Sequence, residues 1–297
     1  MRILHIDTGR EMRGGQWQVL HLLRGSQAAG VECRLLARQG PLLEAAEKAG
    51  LDAAALKSPF QALREAAGFD LLHAHDAKAH TWTAATSRPL VVARRVAFPV
   101  GRGFLSSWKY RRAAAFIAIS EAVRRELEAA GIPKSKIEVV YDGVLVPASV
   151  IPYDSRPLGC IAPATNDPMK GSDLAIASGV ELQFSSHLTD DLARARILLY
   201  LSRREGLGSA ALLASAYGTP VVASRIGGLE EAVEHEVSGL LTENDPRAVA
   251  AAVSRLQDDP AWAAKLGLQG RDRVQRMFTV DKMVKGTLAV YRKLLSA

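Results

Sequence analysis

The 297-residue chain has only two cysteines, Cys33 and Cys160, and they stand far apart. That excludes a disulfide framework and every metal site built on paired cysteines. Both lie in apolar, strand-like runs (VECRLLA and LGCIA), so they read as small core side chains in a reducing compartment. No stretch approaches the ~18 consecutive apolar residues of a membrane-spanning helix. The N-terminal MRILHID enters a strand pattern without an apolar signal region. The expected location is therefore the cytoplasm, with a peripheral place on the inner face of a membrane left open. Low-complexity segments are missing, and so are the G-x-G-x-x-G dinucleotide fingerprint and the Walker phosphate loop.

What remains is an ordinary globular composition, 48% hydrophobic and 23% charged, long enough for two domains of roughly 150 residues. Charge is unevenly placed. Residues 1–150 hold 21 Lys/Arg against 14 Asp/Glu, whereas residues 151–297 hold 17 of each, so the formal +7 lies wholly in the first half. Either that half meets an anion (a phosphorylated acceptor, an anionic membrane surface) or it presents a solvated basic face. Nucleic acid is disfavoured, because the basic runs lack interleaved aromatics.

Strand-like and helix-like runs alternate from end to end. RILHID, VECRLLA, FDLLHAH, PLVVARRVAF, AFIAIS and KIEVVYDGV read as strands of the first half. RPLGCIAPA, VELQFS, RILLYLS, PVVAS and SGLLT are those of the second. SEAVRRELEAAG is a helix capped by Ser120 and ended by Gly131. Alternation throughout predicts an α/β chain with two doubly wound, Rossmann-like sheets. Pro147 and Pro152 interrupt the pattern and set the boundary near Val146–Asp154.

Ligands of open α/β sheets bind beyond the carboxyl ends of the strands, and four loops there carry informative residues. Arg13-Gly14-Gly15-Gln16 opens the first helix, where free amides suit phosphate. Asp167-Pro168-Met169-Lys170-Gly171-Ser172 would aim the Lys170 ammonium at a diphosphate. Arg203-Arg204-Glu205-Gly206-Leu207-Gly208-Ser209 offers backbone amides from Gly206 to Ala210. It also offers a carboxylate, Glu205, better suited to a neutral polyol than to a phosphate. Ser224 to Glu231 repeats the two-glycine turn, with Glu231 serving either a ligand or the helix dipole. His73 and His75 share one face of a strand end. No third metal ligand is evident, so packing or hydrogen bonding is the reading. Arg94 and Arg95 close the next strand and could meet an anion.

The run EGLGSAALLASAYGTPVVASRIGGLEEAVEH resembles the donor-binding signature of family 4 glycosyltransferases. GGQWQVLHLL, HAH, AISEAVRREL, IEVVYDGV and MKGSDLAI follow in family order, so the resemblance covers nearly the whole chain. It implies a GT-B fold, with an acceptor-side domain over 1–148, a donor domain over 149–278 and a terminal helix, 279–297, returning to the first domain. It also implies retaining, metal-independent transfer of a sugar from a UDP- or GDP-linked donor to a glycan or lipid-linked acceptor, with no cofactor. The alternative is a degenerate relative that only binds. By position, Lys170 resembles the lysine on the donor diphosphate, Glu205 the acid on the sugar hydroxyls, and Gly14 and Gly15 the glycines that approach the diphosphate. Lys170, Glu205 and Arg95 are the catalytic candidates. Thr165, Arg204, Gly206, Leu207, Gly208, Ser209, Ala210 and His187 join Gly14 and Gly15 on the donor side, and His75 and Arg94 lie on the acceptor side. Three departures stand out. Leu213 occupies the place of a second glutamate, Thr165 that of an arginine, and RRVAFP that of a loop histidine. The segment between Lys170 and Glu205 is also expected to be shortened to a single run.

Overall fold

A computed structural model of the chain describes residues 1–98 and 103–296; of RRVAFP, Pro99 lies outside them. Two compact units result: Met1–Asp142 with Val280–Ala297, and Gly143–Thr279. The division falls a few residues before the prolines, because Val144 already pairs with Thr279 in a bridge of the second unit.

The first unit is built on seven strands: β1 (Arg2–Asp7), β2 (Glu32–Ala37), β3 (Ala53–Ala55), β4 (Leu71–Ala74), β5 (Leu90–Arg94), β6 (Ala115–Ala118) and β7 (Ile137–Val139). They lie in the order β3-β2-β1-β4-β5-β6-β7, every pair parallel. The central strands are apolar on both faces, as a sheet covered by helices requires; β4 and β6 are buried at every residue. The helices are α1 (Gly14–Ala28), α2 (Pro41–Lys48), α3 (Pro59–Ala66), α4 (Ala77–Thr83), α5 (Phe104–Arg112) and α6 (Glu121–Ala129). Ser58, Asp76 and Ser120 cap α3, α4 and α6 through their side-chain oxygens.

The second unit has β8 (Leu158–Pro163), β9 (Leu182–Ser185), β10 (Ala195–Tyr200), β11 (Val221–Ser224) and β12 (Leu240–Thr242), in the parallel order β12-β11-β10-β8-β9. Around them are α7 (Ser172–Ala177), α8 (Leu188–Leu192), α9 (Ser209–Ala216), α10 (Leu229–Ala232), α11 (Pro246–Asp258) and α12 (Pro260–Met277). The connection from Lys170 to Glu205 is thus not a single run: it carries α7, β9, α8 and β10. Ile197, Leu199 and Val222 of the sheet pack with Val249, Val253 and Leu266 of the two long helices.

The last helix, α13 (Val280–Leu295), belongs to the first unit. Its Met283, Val284, Leu288 and Tyr291 join Ile3, Leu71, Val91 and Ile117 in one core. Gly25 lets α1 come this close, since a Cβ there would stand 2.5 Å from Val284 Cγ2. Truncating Leu288 to alanine would cost about 2–5 kcal/mol.

Strand order fixes where ligands can go. In the second unit β8 has β9 on one side and β10 on the other, so the connections reverse direction at β8/β10. A crevice opens at such a switch point, and the loops leaving β8 and β10 carry Lys170 and Glu205. In the first unit the corresponding point lies between β1 and β4.

Candidate functional site

The loop after β8 is built from local turns. Asp167 accepts from the Met169 amide at 3.0 Å, and Thr165 Oγ1 accepts from the Asp167 amide at 3.1 Å. A 3-10 turn, Pro168–Lys170, presents the lysine. Gly171 follows in the left-handed region at φ 61°, where a Cβ would stand 2.8 Å from Leu201 Cβ. Conformation and space both call for glycine there.

The loop after β10 is tied to this one. Met169 O accepts from the Arg203 amide at 2.8 Å and from Ser202 Oγ at 3.1 Å. The Arg203 guanidinium grips Asp173 with two hydrogen bonds of 3.0 and 2.5 Å and donates to Pro168 O at 2.6 Å. This lacing sets the reach of the Lys170 and Glu205 side chains. Lys170 Nζ lies 2.5 Å from Glu205 Oε2. Tyr200, the last residue of β10, completes the group: its hydroxyl donates to Glu205 Oε2 at 2.8 Å and lies 3.2 Å from Lys170 Nζ. The tyrosine is buried, and burial together with the adjacent Glu205 carboxylate raises its pKa well above the usual phenol value. It therefore stays a donor to the carboxylate. Lys170 keeps 30% of its side chain exposed and Glu205 13%, so the pair remains open to an incoming ligand. Taking two charges this far out of water is close to neutral for stability, so its use is better sought in recognition than in folding.

A third loop closes on the second, backbone against backbone. The Gly228 amide donates to Glu205 O at 3.2 Å. A Cβ on Gly228 would stand 1.9 Å from Gly206 O, and one on Gly227 2.7 Å from Glu205 O. Gly208, at φ 97°, begins α9, and a Cβ on it would stand 2.5 Å from Leu229 Cδ2. Ser209 and Ala210 form the first turn of α9, where amides lack intrahelical acceptors. Beneath the loop, Ser224 Oγ accepts from the Ser202 amide at 2.9 Å and bonds Asn244 Oδ1 at 2.6 Å. Asn244 Nδ2 returns to Ser202 O at 3.0 Å.

The structure thus brings Lys170, Glu205 and Gly206 to Ala210 together at one switch point. Thr165 lines a depression beside them with Asp167, Met169, Ser172 and Arg203. Arg204 is exposed on the same loop, and its carbonyl accepts from Ser202 Oγ. His187 is exposed at the start of α8, and no described contact joins it to the Lys170–Glu205 pair. Leu207 is buried and Leu213 half-buried on α9. Tyr200 and Asn244 were not singled out from the sequence. A hydroxyl at the end of the otherwise apolar run RILLY was the available signal for the first.

The remaining candidates lie in the first unit. Gly14 and Gly15 open α1, and a Cβ on Gly15 would stand 3.3 Å from Arg95 Cδ. The guanidinium of Arg95 is ion-paired with buried Asp142, so its charge is already met. Burial raises the Asp142 pKa, and Arg95 opposes that rise. Arg94 donates to Phe98 O at 2.6 Å. His73 and His75 do have a third partner: β1 and β4 pair His5 beside His73. One nitrogen of each of the three rings lies within 4.8 Å of the others, a spacing that could hold a metal ion. His5 Nδ1 and His75 Nε2 are 2.9 Å apart, and His73 Nδ1 bonds the Tyr291 hydroxyl at 2.5 Å. His75 is thus buried among side chains of its own unit, 4% exposed, rather than displayed. Burial holds all three rings neutral, with His5 lowered to about 3.

Solved structures that superpose on this chain include glycosyltransferases. Anabaena HepE in complex with UDP and glucose superposes with a TM-score of 0.86 over 99% of this chain and 100% of that one, at 17% identity. A glycosyltransferase of Rickettsia africae superposes with 0.85, also at 17% identity, over 99% and 98%. The fold is GT-B. Among curated proteins, D-inositol 3-phosphate glycosyltransferase of Salinispora tropica is 42% identical over 127 residues, 40% of this chain and 26% of that protein. MMP alpha-(1->4)-mannosyltransferase of Mycolicibacterium hassiacum is 37% identical over 119 residues, 38% and 29%. The chain thus matches little more than a quarter of the length of these relatives. Residues 12–145 match Glycosyltransferase Family 4, and residues 170–259 match Glycosyl transferases group 1. From its N-terminal unit through the Lys170–Glu205 loops, the chain belongs to the family 4 glycosyltransferases.

Proposed function

We propose that the chain is a retaining glycosyltransferase that moves a sugar from a UDP- or GDP-linked donor to a glycan or lipid-linked acceptor. The observation that carries this reading is the Lys170–Tyr200–Glu205 group at the β8/β10 switch point, beside the first turn of α9. Breaking a glycosyl–phosphate bond builds positive charge on the sugar and negative charge on the departing diphosphate. An ammonium and free helix amides answer the second charge without a divalent ion. A carboxylate beside them answers sugar hydroxyls, which donate to it.

Among the described residues, the Lys170 ammonium meets Glu205 and Tyr200. On donor binding the ammonium turns to the diphosphate and Glu205 turns to the sugar, while the Tyr200 hydroxyl keeps the carboxylate aimed. The exchange replaces one charge-assisted contact by two, so neither charge is left buried and unpaired. Acceptor binding is assigned to the N-terminal unit. The relatives and neighbours support the donor class by what they are named for: inositol-phosphate glycosyl transfer, mannosyl transfer, and complexes with UDP and glucose.

The test is Lys170→Ala, assayed by release of nucleoside diphosphate from a panel of nucleotide sugars. Transfer is expected to vanish while the melting temperature holds, because the side chain leaves a surface loop. Turnover at the wild-type rate would overturn the mechanism.

A further inference from the structure

Three buried histidines of the first unit take no part in the proposed transfer. His5 stands on β1, His73 on β4, and His75 directly after it. Parallel pairing sets His5 beside His73, and His75, two residues on, returns to the same face. Ring centroids lie 4.0 Å apart for His73 and His75 and 5.2 Å apart for His5 and His75. Tyr291, which bonds His73, belongs to the apolar core of Ile3, Leu71 and Val91. An aliphatic side chain would fill such a place at less cost than an imidazole.

Each ring spends one nitrogen on a hydrogen bond: His5 Nδ1 with His75 Nε2, and His73 Nδ1 with the Tyr291 hydroxyl. The other three nitrogens, His5 Nε2, His73 Nε2 and His75 Nδ1, are buried without a partner among the described residues. A buried polar atom left unbonded costs about 1–3 kcal/mol, so three in one cluster point to a shared ligand. A neutral imidazole holds one N–H and one lone pair. The His5–His75 bond uses one of each, so either His5 Nε2 or His75 Nδ1 is a bare lone pair. With Tyr291 accepting from His73 Nδ1, His73 Nε2 is another.

We propose that His5, His73 and His75 form a structural site for a zinc-class transition-metal ion, which ties β1 to β4. One nitrogen of each ring already lies within 4.8 Å of the others. Nitrogens that share a tetrahedral zinc, each about 2.0 Å from it, lie about 3.3 Å apart, so small side-chain shifts suffice. An ion that displaces the His5–His75 bond recruits the third lone pair. The donor set decides the class of ion: imidazoles suit zinc, copper, nickel and cobalt, whereas magnesium and calcium want oxygen. Tyr291 is the outer partner that fixes the tautomer and orientation of a ligating ring. The site belongs to the first unit and the Lys170–Glu205 loops to the second, so the ion has a role in folding and none in the transfer step.

The experiment is metal analysis of the untagged full chain, expressed in medium supplemented with zinc or with cobalt and passed through gel filtration in chelator. The buried site should load as the chain folds, so the wild type is expected to retain near-stoichiometric metal. The cobalt form should show the visible absorption of a low-coordinate centre. His75→Gln is expected to lose the metal, and His21→Gln, outside the cluster, to keep it. Tyr291→Phe keeps the ring and should lower zinc affinity about 10- to 100-fold, which keeps the test decisive if His75→Gln folds poorly. A wild type that retains neither metal would overturn the proposal and leave the orphaned nitrogens to bridging water. So would equal retention by the wild type, His75→Gln and Tyr291→Phe. Nucleotide-sugar turnover is not part of the readout, so failure here leaves the donor site standing.

Discussion

Gly228→Ala isolates the packing that holds the Glu205 loop. Gly228 has φ −69° and ψ −12°, helical values that alanine adopts freely, so backbone strain plays no part. Only space does. The new Cβ would begin 1.9 Å from Gly206 O and 2.6 Å from Leu207 Cα, both backbone atoms that cannot swing aside as a side chain would. A comfortable C···O separation is about 3.3 Å, so the two loops must part by more than 1 Å. That overpacking costs about 1–3 kcal/mol. Loss of the Gly228 amide's bond to Glu205 O adds about 1 kcal/mol. A total of about 2–4 kcal/mol should lower the melting temperature of the second unit by about 6–15 °C. Glu205 moves with its loop, so donor affinity should fall as well. Scanning calorimetry of the variant beside Gly159→Ala checks the reasoning, since a Cβ on Gly159 meets nothing within 4 Å. If Gly228→Ala melts with the wild type, the loops are not locked as described.

Tyr200→Phe keeps the ring and removes the hydroxyl that donates to Glu205 at 2.8 Å. A hydrogen bond to a charged group is worth about 1.5–3 kcal/mol, so melting should fall, and kcat/KM for the donor should fall by up to about 10- to 100-fold as the carboxylate loses its aim; unchanged kinetics would contradict the aiming role. Acid should weaken the first unit. His80 is held down to about 4, chiefly by burial, and His5 to about 3. These rings are neutral in the fold but take up protons in the unfolded chain below pH 6.5. Stability is therefore full above pH 6.5 and is lost as pH falls toward the folded values. His80 alone should remove about 2 kcal/mol between pH 6.5 and 5. Urea unfolding at pH 7 and pH 5, followed by probes in residues 1–142, measures this; a pH-independent midpoint would refute it.

Much of the fold was written in local pattern. The apolar runs RILHID, LLHAH and RILLY became β1, β4 and β10, because strands buried on both faces need continuous apolar sequence. Strand β3 was missed: three alanines at a sheet edge carry no period. Helix α4 was missed as well, since AKAHTWT has no clear apolar stripe and owes its start to the Asp76 cap. GLEEAVEH reads as a full helix but ends after Ala232. Within the site, Lys170 and Glu205 were legible because strand-to-helix loops and glycines mark them. Their meeting was not, since it depends on β8 and β10 being neighbours. Parallel register likewise put His5 beside His73, residues far apart in sequence, and gave the histidine pair its third member. Arg95 shows the opposite case. Its strand-end position suggested a free cation, and only the fold places Asp142 against it.

The Lys170–Glu205 loops are proposed to bind a nucleotide-linked sugar, with the carboxylate on the sugar. Calorimetric titration of UDP, GDP and their hexose conjugates into the wild type and Glu205→Ala tests it most directly. One conjugate should bind the wild type more tightly than its bare nucleotide, and Glu205→Ala should erase that difference while nucleotide affinity persists. Equal losses for conjugate and nucleotide, or no binding of either, would contradict it.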